Sequence, residues 1–545
     1  MAQRLGKDAQ VIICGAGPIG MALALDLADK GVPTILLEST DGKIETPKLG
    51  LVSIRTMEIF RRLNLAGFVR DTGFRPDCAL SMVYCTSVAG HFLGRIPYPS
   101  LEDEPFIPES PETKWRCSQI FLNPLLQSRV EANPLIDLRL STKMESFEDR
   151  GTHVEVSVSC ADKSRETLSA LYFIGCDGAG SRVRRDLGID AQGENELDYS
   201  VAIFFRSKAL AHDHAMGDAE RYFVLDEHGW WGSISAMDGY ELWRLTVPGT
   251  KETAPGIVAN AHELVRRALG SEKMKFEILS SLPWRRSQLI ADRFSSGRIF
   301  MAGDSVHTMS PTGGLGMNTG MGDVDNLGWK LAAVLAGWGG AALLETYGAE
   351  RRPIAIRNSE ASTHNYFQLK SVKNCAGIFD DGAEGDKVRA RVGEEITSAT
   401  ETEWEMLGVH LGYRYDDSSI VVADGTPADE DHWRWYKPTA RPGHRAPHAW
   451  ISGGPRDGIS TLDLFGREFV LLRFGNHAPS DDRLAKAARA VSVPYRSYNI
   501  TDPAIETVYE KPLVLVRPDG HVAWRGNALP ADCDGLIATV TGRGV

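Results

Sequence analysis

The sequence predicts an α/β protein with α+β character in its middle part, and three stretches of different texture lead to this prediction. Residues 8–190 open with a strand, a glycine-rich turn, a helix and a second strand. Residues 195–285 contain short runs of alternating polar and apolar residues, which are typical of a half-exposed antiparallel sheet. After residue 440, a strand, a helix, a strand and a hairpin follow within about 100 residues. We therefore expect a parallel unit, an inserted antiparallel sheet and a small C-terminal α/β unit.

The first elements are recognised by buried apolar runs and by the residues at the helix ends. Residues 11–14 form an apolar run of the kind seen in strands that are buried on both faces. Pro18 suits the first turn of a helix because it has no N–H to leave unpaired. Gly31 can end that helix in a left-handed conformation. Residues 34–37 then predict a second buried strand.

The later elements are predicted from the same signals. Strands are expected at 221–225, 241–245, 297–302, 469–474 and 495–500, helices at 323–336 and 481–491, and a hairpin at 513–524. The segment 375–440 is charged and contains proline and glycine, so it is expected to connect two domains.

Composition narrows the possible classes of function. Of 545 residues, 43% are hydrophobic and 24% are charged, which excludes a disordered or fibrous chain. The formal net charge of −12 argues against nucleic acid and anionic membranes as partners, because it repels phosphate groups. The weakly polar run 331–344 is too short to span a bilayer. Eight scattered cysteines without a C-x-x-C pair predict reduced thiols, a cytoplasmic location and no metal site.

A glycine-rich turn follows the first predicted strand. Residues 15–20 read G-A-G-P-I-G, and the second strand leads directly to Glu38. Gly15 allows the tight turn, Gly17 lets the backbone approach a pyrophosphate, and Gly20 lets the helix pack closely on the strand. Glu38 can accept hydrogen bonds from ribose hydroxyls and would repel a 2′-phosphate, so FAD or NAD fits this site better than NADP. An ordinary glycine-rich turn is the alternative, and the following acidic residue argues against it.

Two further predicted strands end in an aspartate next to a glycine. Asp177 precedes Gly178 and a basic helix start, and Asp304 follows Gly303. Asp304, at a strand end, can bind a ribityl hydroxyl. The glycine loop 313–316 opens a helix whose N–H groups can stabilise negative charge on a reduced ring. His307, close behind Asp304, is expected to be structural rather than catalytic.

These three motifs, in this order, resemble the single-component (class A) FAD-dependent aromatic hydroxylases over nearly the whole chain. The likeness is greatest to the phenol hydroxylase and hydroxyphenylpropionate hydroxylase branch. The resemblance implies an FAD-binding Rossmann-like domain, an inserted antiparallel-sheet substrate domain and a C-terminal thioredoxin-like domain. The expected boundaries are 1–75, 116–190 and 286–395 (with a helical connection) for the FAD-binding domain, 76–115 and 191–285 for the substrate domain, 396–442 for a linker and 443–545 for the thioredoxin-like domain.

The resemblance also implies roles for individual residues, most of them in binding FAD. Gly15, Gly17, Gly20 and Glu38 would hold the ADP half. Gln119 and Asp304 would hold the pyrophosphate and ribityl part, and Asp177 would anchor a motif that serves both FAD and NAD(P)H. The residues expected near the flavin ring are Lys48 with Pro47 before it, Pro311, Gly314, Gly316, Met317 and Asn318.

The middle region is expected to supply the substrate pocket. A phenol needs flat apolar surfaces and a donor or base at its hydroxyl group. The aromatic and polar residues that could meet this need are Tyr222, His228, Trp230, Trp231, Tyr240 and Arg244. Tyr222, His228 and Arg244, together with Pro311, are the predicted catalytic residues. The residues of the middle region are also common on the faces of ordinary sheets, and the sequence does not identify which residue would act as the base.

The activity implied by the resemblance is hydroxylation of a phenolic or related electron-rich aromatic compound. It would use NADH or NADPH and O2, through a C4a-hydroperoxide of FAD. A reductase or dehydrogenase without oxygen insertion and a non-catalytic flavin-binding module are the alternatives, and a halogenase is disfavoured because no W-x-W-x-I-P segment occurs. The C-terminal unit lacks the C-x-x-C that disulfide exchange requires, so it is expected to pack against the chain or support a homodimer.

Overall fold

A computed structural model describes residues 6–44, 48, 50–212 and 214–544 of the chain. Pro47, predicted to lie near the flavin, falls outside the described residues. The secondary structure comprises three main sheets, of which the first is parallel at its centre and the second is mostly antiparallel. In the described residues no helix has both the length and the apolar character needed to cross a bilayer.

The strands follow one another along the chain in this order. They are β1 (Asp8–Cys14), β2 (Thr34–Leu37), β3 (Leu51–Val52), β4 (Met82–Cys85), β5 (Phe92–Ile96), β6 (Trp115–Arg116), β7 (Ile136–Arg139), β8 (Lys143–Asp149), β9 (Val154–Ser159), β10 (Arg165–Gly175), β11 (Ala191–Arg206), β12 (Arg221–Asp226), β13 (Gly229–Ala236), β14 (Leu242–Val247), β15 (Glu277–Ala291), β16 (Ser295–Ser296), β17 (Ile299–Met301), β18 (His307–Thr308), β19 (Trp450–Ser452), β20 (Ile459–Ser460), β21 (Phe469–Phe474), β22 (Tyr495–Ile500), β23 (Leu513–Val516) and β24 (Val522–Gly526).

The helices lie between and after these strands. They are α1 (Pro18–Asp29), α2 (Ile54–Arg62), α3 (Ala66–Arg70), α4 (Gln119–Glu131), α5 (Arg182–Asp186), α6 (Ala254–Ala259), α7 (Ala261–Leu269), α8 (Leu315–Leu335), α9 (Ala342–Leu369), α10 (Gly382–Trp404), α11 (Leu407–Leu411), α12 (Asp482–Ala490), α13 (Pro503–Tyr509) and α14 (Cys533–Val540).

The first sheet contains the predicted buried strands. Its order is β16-β17-β10-β1-β2-β7, and β1 pairs in parallel with β10 on one side and β2 on the other. Val11, Ile12 and Ile13 of β1 are fully buried, as expected for a strand that is covered on both faces. Helices α1 and α8 pack against each other beside this sheet. The parallel arrangement brings the carboxyl ends of β17, β10, β1 and β2 to one edge.

The second sheet contains the alternating runs of the middle region. Its order is β18-β15-β11-β14-β13-β12-β4-β5. The pairs formed by β11 to β15 are antiparallel, which confirms the predicted sheet, whereas β12 and β4 pair in parallel. Strands β4 and β5 reach this sheet from an earlier part of the chain, and β18 joins it after β16 and β17 of the first sheet, so three segments build it.

The C-terminal unit has its own sheet of order β22-β21-β23-β24. The hairpin of β23 and β24 turns at Asp519-Gly520, where Gly520 has a φ of +76°. The hydrophobic core of this unit is shared with α8, since Trp329 of α8 packs against Phe469 of β21 with ring centroids 6.0 Å apart. The predicted order of strand, helix, strand and hairpin is therefore confirmed, and this unit is packed tightly on the rest of the chain.

Two elements differ from their predictions. Helix α8 begins at Leu315, ahead of the expected start at residue 323, because the glycine loop bends directly into it. The segment expected to be a connector contains α10, which crosses the predicted boundary between residues 395 and 396. One face of α10 is buried against the second sheet, and Gly393 lets it approach β5 so closely that an added Cβ would lie 1.9 Å from the Leu93 carbonyl oxygen. Most charged residues of α10 are exposed, although Arg389 and Glu403 are buried, and these charges masked the helical pattern in the sequence.

Candidate active site

The glycine turn after β1 has the shape that a bound pyrophosphate requires. Gly15 has a φ of +107°, and an added Cβ would lie 2.3 Å from the Cys176 carbonyl oxygen. At Gly20 an added Cβ would lie 1.9 Å from the Gly15 carbonyl oxygen, so only glycine fits where α1 passes the turn. Gly17 caps α1, and an added Cβ there meets no atom within 4 Å. The backbone at Gly17 therefore borders open space, into which the first N–H groups of α1 are free to point.

Glu38 lies at the end of β2 and is held against this turn. Its Oε2 accepts a hydrogen bond from the Ala16 N–H at 3.0 Å, and its Oε1 accepts from the Thr40 N–H and Oγ1, each at 2.9 Å. The carboxylate is thus fixed beside the first helix turn, where a ribose attached to the pyrophosphate would lie.

Asp177 follows β10, the neighbour of β1 in the sheet. Its carboxylate accepts hydrogen bonds from the Ser181 hydroxyl at 2.6 Å and from the N–H groups of Arg182 and Val183 at 2.7 and 3.0 Å. Because both of its oxygens are used in this way, Asp177 shapes the turn at the start of α5 rather than pointing into open space. Gly178 completes the turn with a φ of +77°.

Asp304 follows β17 and lies at the same sheet edge. Its carboxylate is half-exposed and lies 3.7 Å from the Nζ of the exposed Lys48. Gln119 begins α4 and is half-buried. The carboxyl ends of four parallel strands therefore present Asp304, Asp177, the glycine turn and Glu38 along one edge, which is where α/β sheets bind ligands.

Residues 310–318, here called the flavin segment, lie beside Asp304. An added Cβ at Gly316 would be 3.9 Å from the Asp304 Oδ1. Gly313 and Gly314 have φ values of +77° and +67°, which allows the chain to turn sharply into α8. Pro311 is exposed, whereas Gly316 and Met317 are half-buried. The structure thus brings the predicted residues of the segment next to the predicted ribityl-binding aspartate.

Asn318 ties the flavin segment to β3 and α2. Its Oδ1 accepts hydrogen bonds from the Ser53 N–H at 2.9 Å and the Thr56 hydroxyl at 2.7 Å. Its Nδ2 donates to the Leu51 carbonyl at 2.9 Å and to the Gly314 carbonyl at 2.7 Å. The side chain therefore acts as a clamp within the protein, a role that the sequence did not reveal.

Buried charged residues that sequence analysis missed hold the other end of the segment. Arg286 of β15 donates from Nη1 to the Ser310 hydroxyl at 2.7 Å and pairs through Nε with Asp198 at 3.3 Å. Glu403 of α10 accepts a hydrogen bond from the Gly313 N–H at 3.0 Å. These residues lie in strands and helices distant in sequence, and no local motif marks them.

The predicted catalytic residues of the second sheet fall into different environments. Tyr222 is fully buried, its hydroxyl donates to the Gly217 carbonyl at 3.0 Å, and burial together with Asp218 raises its pKa. Arg244 is half-buried, and burial and three neighbouring arginines lower its pKa to about 9; Arg286 is one of them. His228 is exposed in the turn between β12 and β13, so the structure does not bring it to the flavin segment.

The other aromatic residues proposed for the pocket are also dispersed. Tyr240 is 54% exposed, Trp231 lies under Arg267 with the guanidinium carbon 4.2 Å from the ring centroid, and Trp230 packs near the core formed with α10. These three side chains therefore lie in three different environments.

His307 and Cys533 both have structural environments. The His307 Nε2 lies 2.8 Å from Asp323, whose carboxylate also binds the Gly303 N–H at 3.0 Å and the Arg351 Nε at 2.8 Å. Burial alone would raise the pKa of Asp323, but His307 and Arg351 lower it. Burial raises the pKa of the Cys533 thiol, which disfavours the reactive thiolate.

Comparison with known families accounts for this combination of units. Residues 8–362 match the family described as FAD binding domain, and residues 439–543 match the family described as aromatic-ring hydroxylase, C-terminal. The 4-methyl-5-nitrocatechol 5-monooxygenase of a Burkholderia species is 30% identical to this chain, and the alignment covers 97% of this chain and 96% of that enzyme.

Solved structures show the same architecture over the whole length. The rebeccamycin biosynthetic enzyme RebC, with bound 7-carboxy-K252c, superposes with a TM-score of 0.92 and 39% identity over 98% of this chain and 99% of RebC. Aklavinone-11 hydroxylase, solved with FAD and aklavinone, superposes with a TM-score of 0.81 and 28% identity over 98% of this chain and 99% of that enzyme. From its two matched families and these full-length similarities, we conclude that the chain belongs to the FAD-dependent aromatic-ring hydroxylases, which are NAD(P)H-dependent flavoprotein monooxygenases.

Proposed function

We propose that this chain inserts one oxygen atom of O2 into a phenolic or related electron-rich ring that lies between the second sheet and the flavin segment. FAD would lie along the carboxyl edge of the first sheet, with its ADP half at the glycine turn and Glu38. Its ring would lie against residues 311–318. The first unit thus carries the cofactor, and the second sheet carries the substrate.

One observation supports this arrangement most strongly. The flavin segment is bounded on one side by Asp304 of the first sheet, 3.9 Å from the position of an added Cβ at Gly316. On the other side it is bounded by Arg286 of the second sheet, which binds Ser310. A ring held at this segment would therefore meet the cofactor-binding sheet and the substrate-binding sheet at once.

The contribution of the protein is binding, orientation and exclusion of water. Bound FAD would supply the redox chemistry, namely hydride acceptance from NAD(P)H and electron transfer to O2. The flavin segment includes the N-terminal end of α8, which would offer free N–H groups and partial positive charge to a ring bound there. Arg286, Glu403 and Asn318 keep this segment in one conformation, so that the donors need not reorganise during the reaction.

Isotope labelling tests the proposed oxygen insertion. FAD-loaded protein is incubated with NADH or NADPH and 18O2, and phenol, catechol, 2,4-dichlorophenol and 1-naphthol are compared as substrates. We expect at least one of them to stimulate NAD(P)H oxidation and to gain one 18O atom per molecule of product. Reactions without aromatic compound, with hydrogen peroxide measured in parallel, control for unproductive oxidation.

Two results would contradict the proposal. Conversion of an aromatic compound without 18O in the product would indicate a reductase or dehydrogenase. Full flavin occupancy with no NAD(P)H oxidation in the presence of any ring compound, including polycyclic phenols, would indicate a binding module.

A further inference from the structure

Glu403 lies between the flavin segment and the second sheet. It occupies the last turn of α10 and is only 3% exposed. Its Oε1 accepts the Gly313 N–H at 3.0 Å and lies 3.5 Å from the Nη1 of Arg221, at the start of β12. One carboxylate oxygen therefore contacts both parts of the site.

The position is unfavourable for a charged carboxylate in three respects. Burial raises the pKa of Glu403, which means that the ionised form is penalised. The C-terminal end of a helix carries partial negative charge, so a carboxylate there is disfavoured. The second oxygen, Oε2, is buried and has no hydrogen-bond partner within the described part of the chain. Arg221, Arg286 and the Gly313 N–H offset this penalty only in part, because the pKa of Glu403 stays raised. Buried charged groups with shifted pKa values cluster at functional sites.

The helix that carries Glu403 is anchored to the second sheet. The hydroxyl groups of Tyr84 on β4 and Thr400 on α10 hydrogen bond to each other. Trp404 lies beside Arg221, with the guanidinium carbon 5.0 Å from its ring centroid, and beside Phe223, at 6.3 Å between centroids. A displacement of β12 by a ligand would therefore be transmitted to the last turn of α10.

The residue that donates its N–H to Glu403 has an unusual backbone geometry. Gly313 has a φ of +77°, and an added Cβ would lie 2.6 Å from the Met406 methyl carbon. The direction of its N–H fixes how the chain leaves Pro311 and enters α8. The hydrogen bond to Glu403 is thus a restraint on the conformation of the flavin segment.

We propose that Glu403 is a positioning residue that couples the second sheet to the flavin segment, holding the Gly313 N–H with one contact and Arg221 with the other. This inference rests on the proposed function, because it takes the flavin ring to lie at residues 311–318 and the substrate to lie at the second sheet. It assigns a role in the site to a helix that the sequence presented as a connector.

Two substitutions separate the two contacts. Glu403→Gln keeps a carbonyl oxygen for the Gly313 N–H and removes the charge that faces Arg221. Glu403→Ala removes both. Glu401→Gln is the matched control, because Glu401 lies in the same helical turn with its side chain 50% exposed.

Three measurements are made on each FAD-loaded variant. They are the dissociation constant of FAD, the change in flavin absorption on adding the phenol that stimulates the wild type most, and the ratio of hydroxylated product to NAD(P)H consumed. For Glu403→Ala we expect FAD binding weakened about tenfold, as for one lost hydrogen bond to a charged group. We also expect no flavin absorption response and more hydrogen peroxide per turnover. For Glu403→Gln we expect FAD binding within about twofold of wild type, with a KM for the phenol raised about fivefold and kcat little changed.

The outcomes are distinguishable. The inference would be overturned if Glu403→Ala kept the FAD binding, absorption response and coupling of the wild type. It would also be overturned if a lower Tm were the only change in both variants, because a merely structural role predicts that result. If Glu403→Ala does not fold, an unchanged KM and absorption response in Glu403→Gln overturns it. The FAD titration needs no turnover, so it remains decisive even if the wild type hydroxylates none of the phenols, a result that would contradict the proposed function alone.

Discussion

Replacing Gly17 by valine should abolish FAD binding while leaving the protein folded. The backbone of Gly17 has φ −71° and ψ 179°, which a β-branched residue adopts without strain. An added Cβ meets no protein atom within 4 Å, so the side chain would project into the space expected for the pyrophosphate. Valine is a poorer helix cap than glycine, and we expect the free energy of unfolding of the apoprotein to fall by about 1 kcal/mol or less.

The loss of FAD affinity should be much larger. If valine prevents about two charge-assisted backbone hydrogen bonds to the pyrophosphate, each worth ~1.5–3 kcal/mol, at least ~3 kcal/mol is lost. This corresponds to a dissociation constant raised by roughly 100-fold or more. The measurements are urea unfolding of the apoprotein and titration of FAD by quenching of its fluorescence.

Gly67→Val is the matched control, because Gly67 is exposed and an added Cβ there also meets no atom within 4 Å. It should bind FAD as the wild type does. Isolation of Gly17→Val with full flavin occupancy would refute the placement of the cofactor at this turn. Equal losses of stability and of affinity would show instead that the turn is only a packing element.

The remaining predictions concern five other positions. Gly20→Ala, which places a methyl group 1.9 Å from a backbone carbonyl oxygen, should lower both stability and FAD affinity, and a variant with wild-type Tm would show that the turn is not tightly packed. Asp304→Ala should weaken FAD binding by ~1.5–3 kcal/mol, about 10- to 150-fold, and an unchanged dissociation constant would place the ribityl chain elsewhere. Asn318→Ala removes four hydrogen bonds of a half-buried side chain and should lower stability by about 2 kcal/mol, measured by urea unfolding of the FAD-loaded protein; a change below about 0.5 kcal/mol would mean that water replaces the clamp. Arg517→Met breaks the buried pair with Glu350, at 2.6 Å, and should cost about 3–5 kcal/mol, which a double-mutant cycle with Glu350→Gln checks. Burial opposes ionisation of Glu350, but Arg517 and Lys330 hold its pKa below the usual 4.5. The contribution of Glu350 to stability is therefore fully present above pH 4.5 and is lost as the pH falls through the lowered pKa. Equal acid stability of the wild type and Glu350→Gln would contradict this.

The sequence alone determined the fold class and the family, and it predicted an FAD site at the carboxyl edge of the first sheet. Each of these depends on local pattern: a buried strand, a glycine turn and a helix occur within residues 8–29, and the acidic residue follows the next strand. Such motifs can be recognised in a sequence because their residues lie close together along the chain. The positions of Gly15, Gly20 and Glu38 in the structure agree with the steric and hydrogen-bonding reasons that predicted them.

Only the tertiary structure decided which residues surround the flavin segment. Glu403 of α10 and Arg286 of β15 hold it through contacts that join residues 90 and 24 positions apart, and Asn318, within the segment, ties it to β3 and α2. The same structure placed His228 in an exposed turn and Tyr222 in the core, although both had looked like pocket residues. It also showed that the charged segment after residue 375 contains a packed helix, α10. The reason is physical. The periodicity of a strand or helix indicates which face is buried, but it does not indicate which distant element covers that face. The pairing of buried charges depends entirely on which element covers the face.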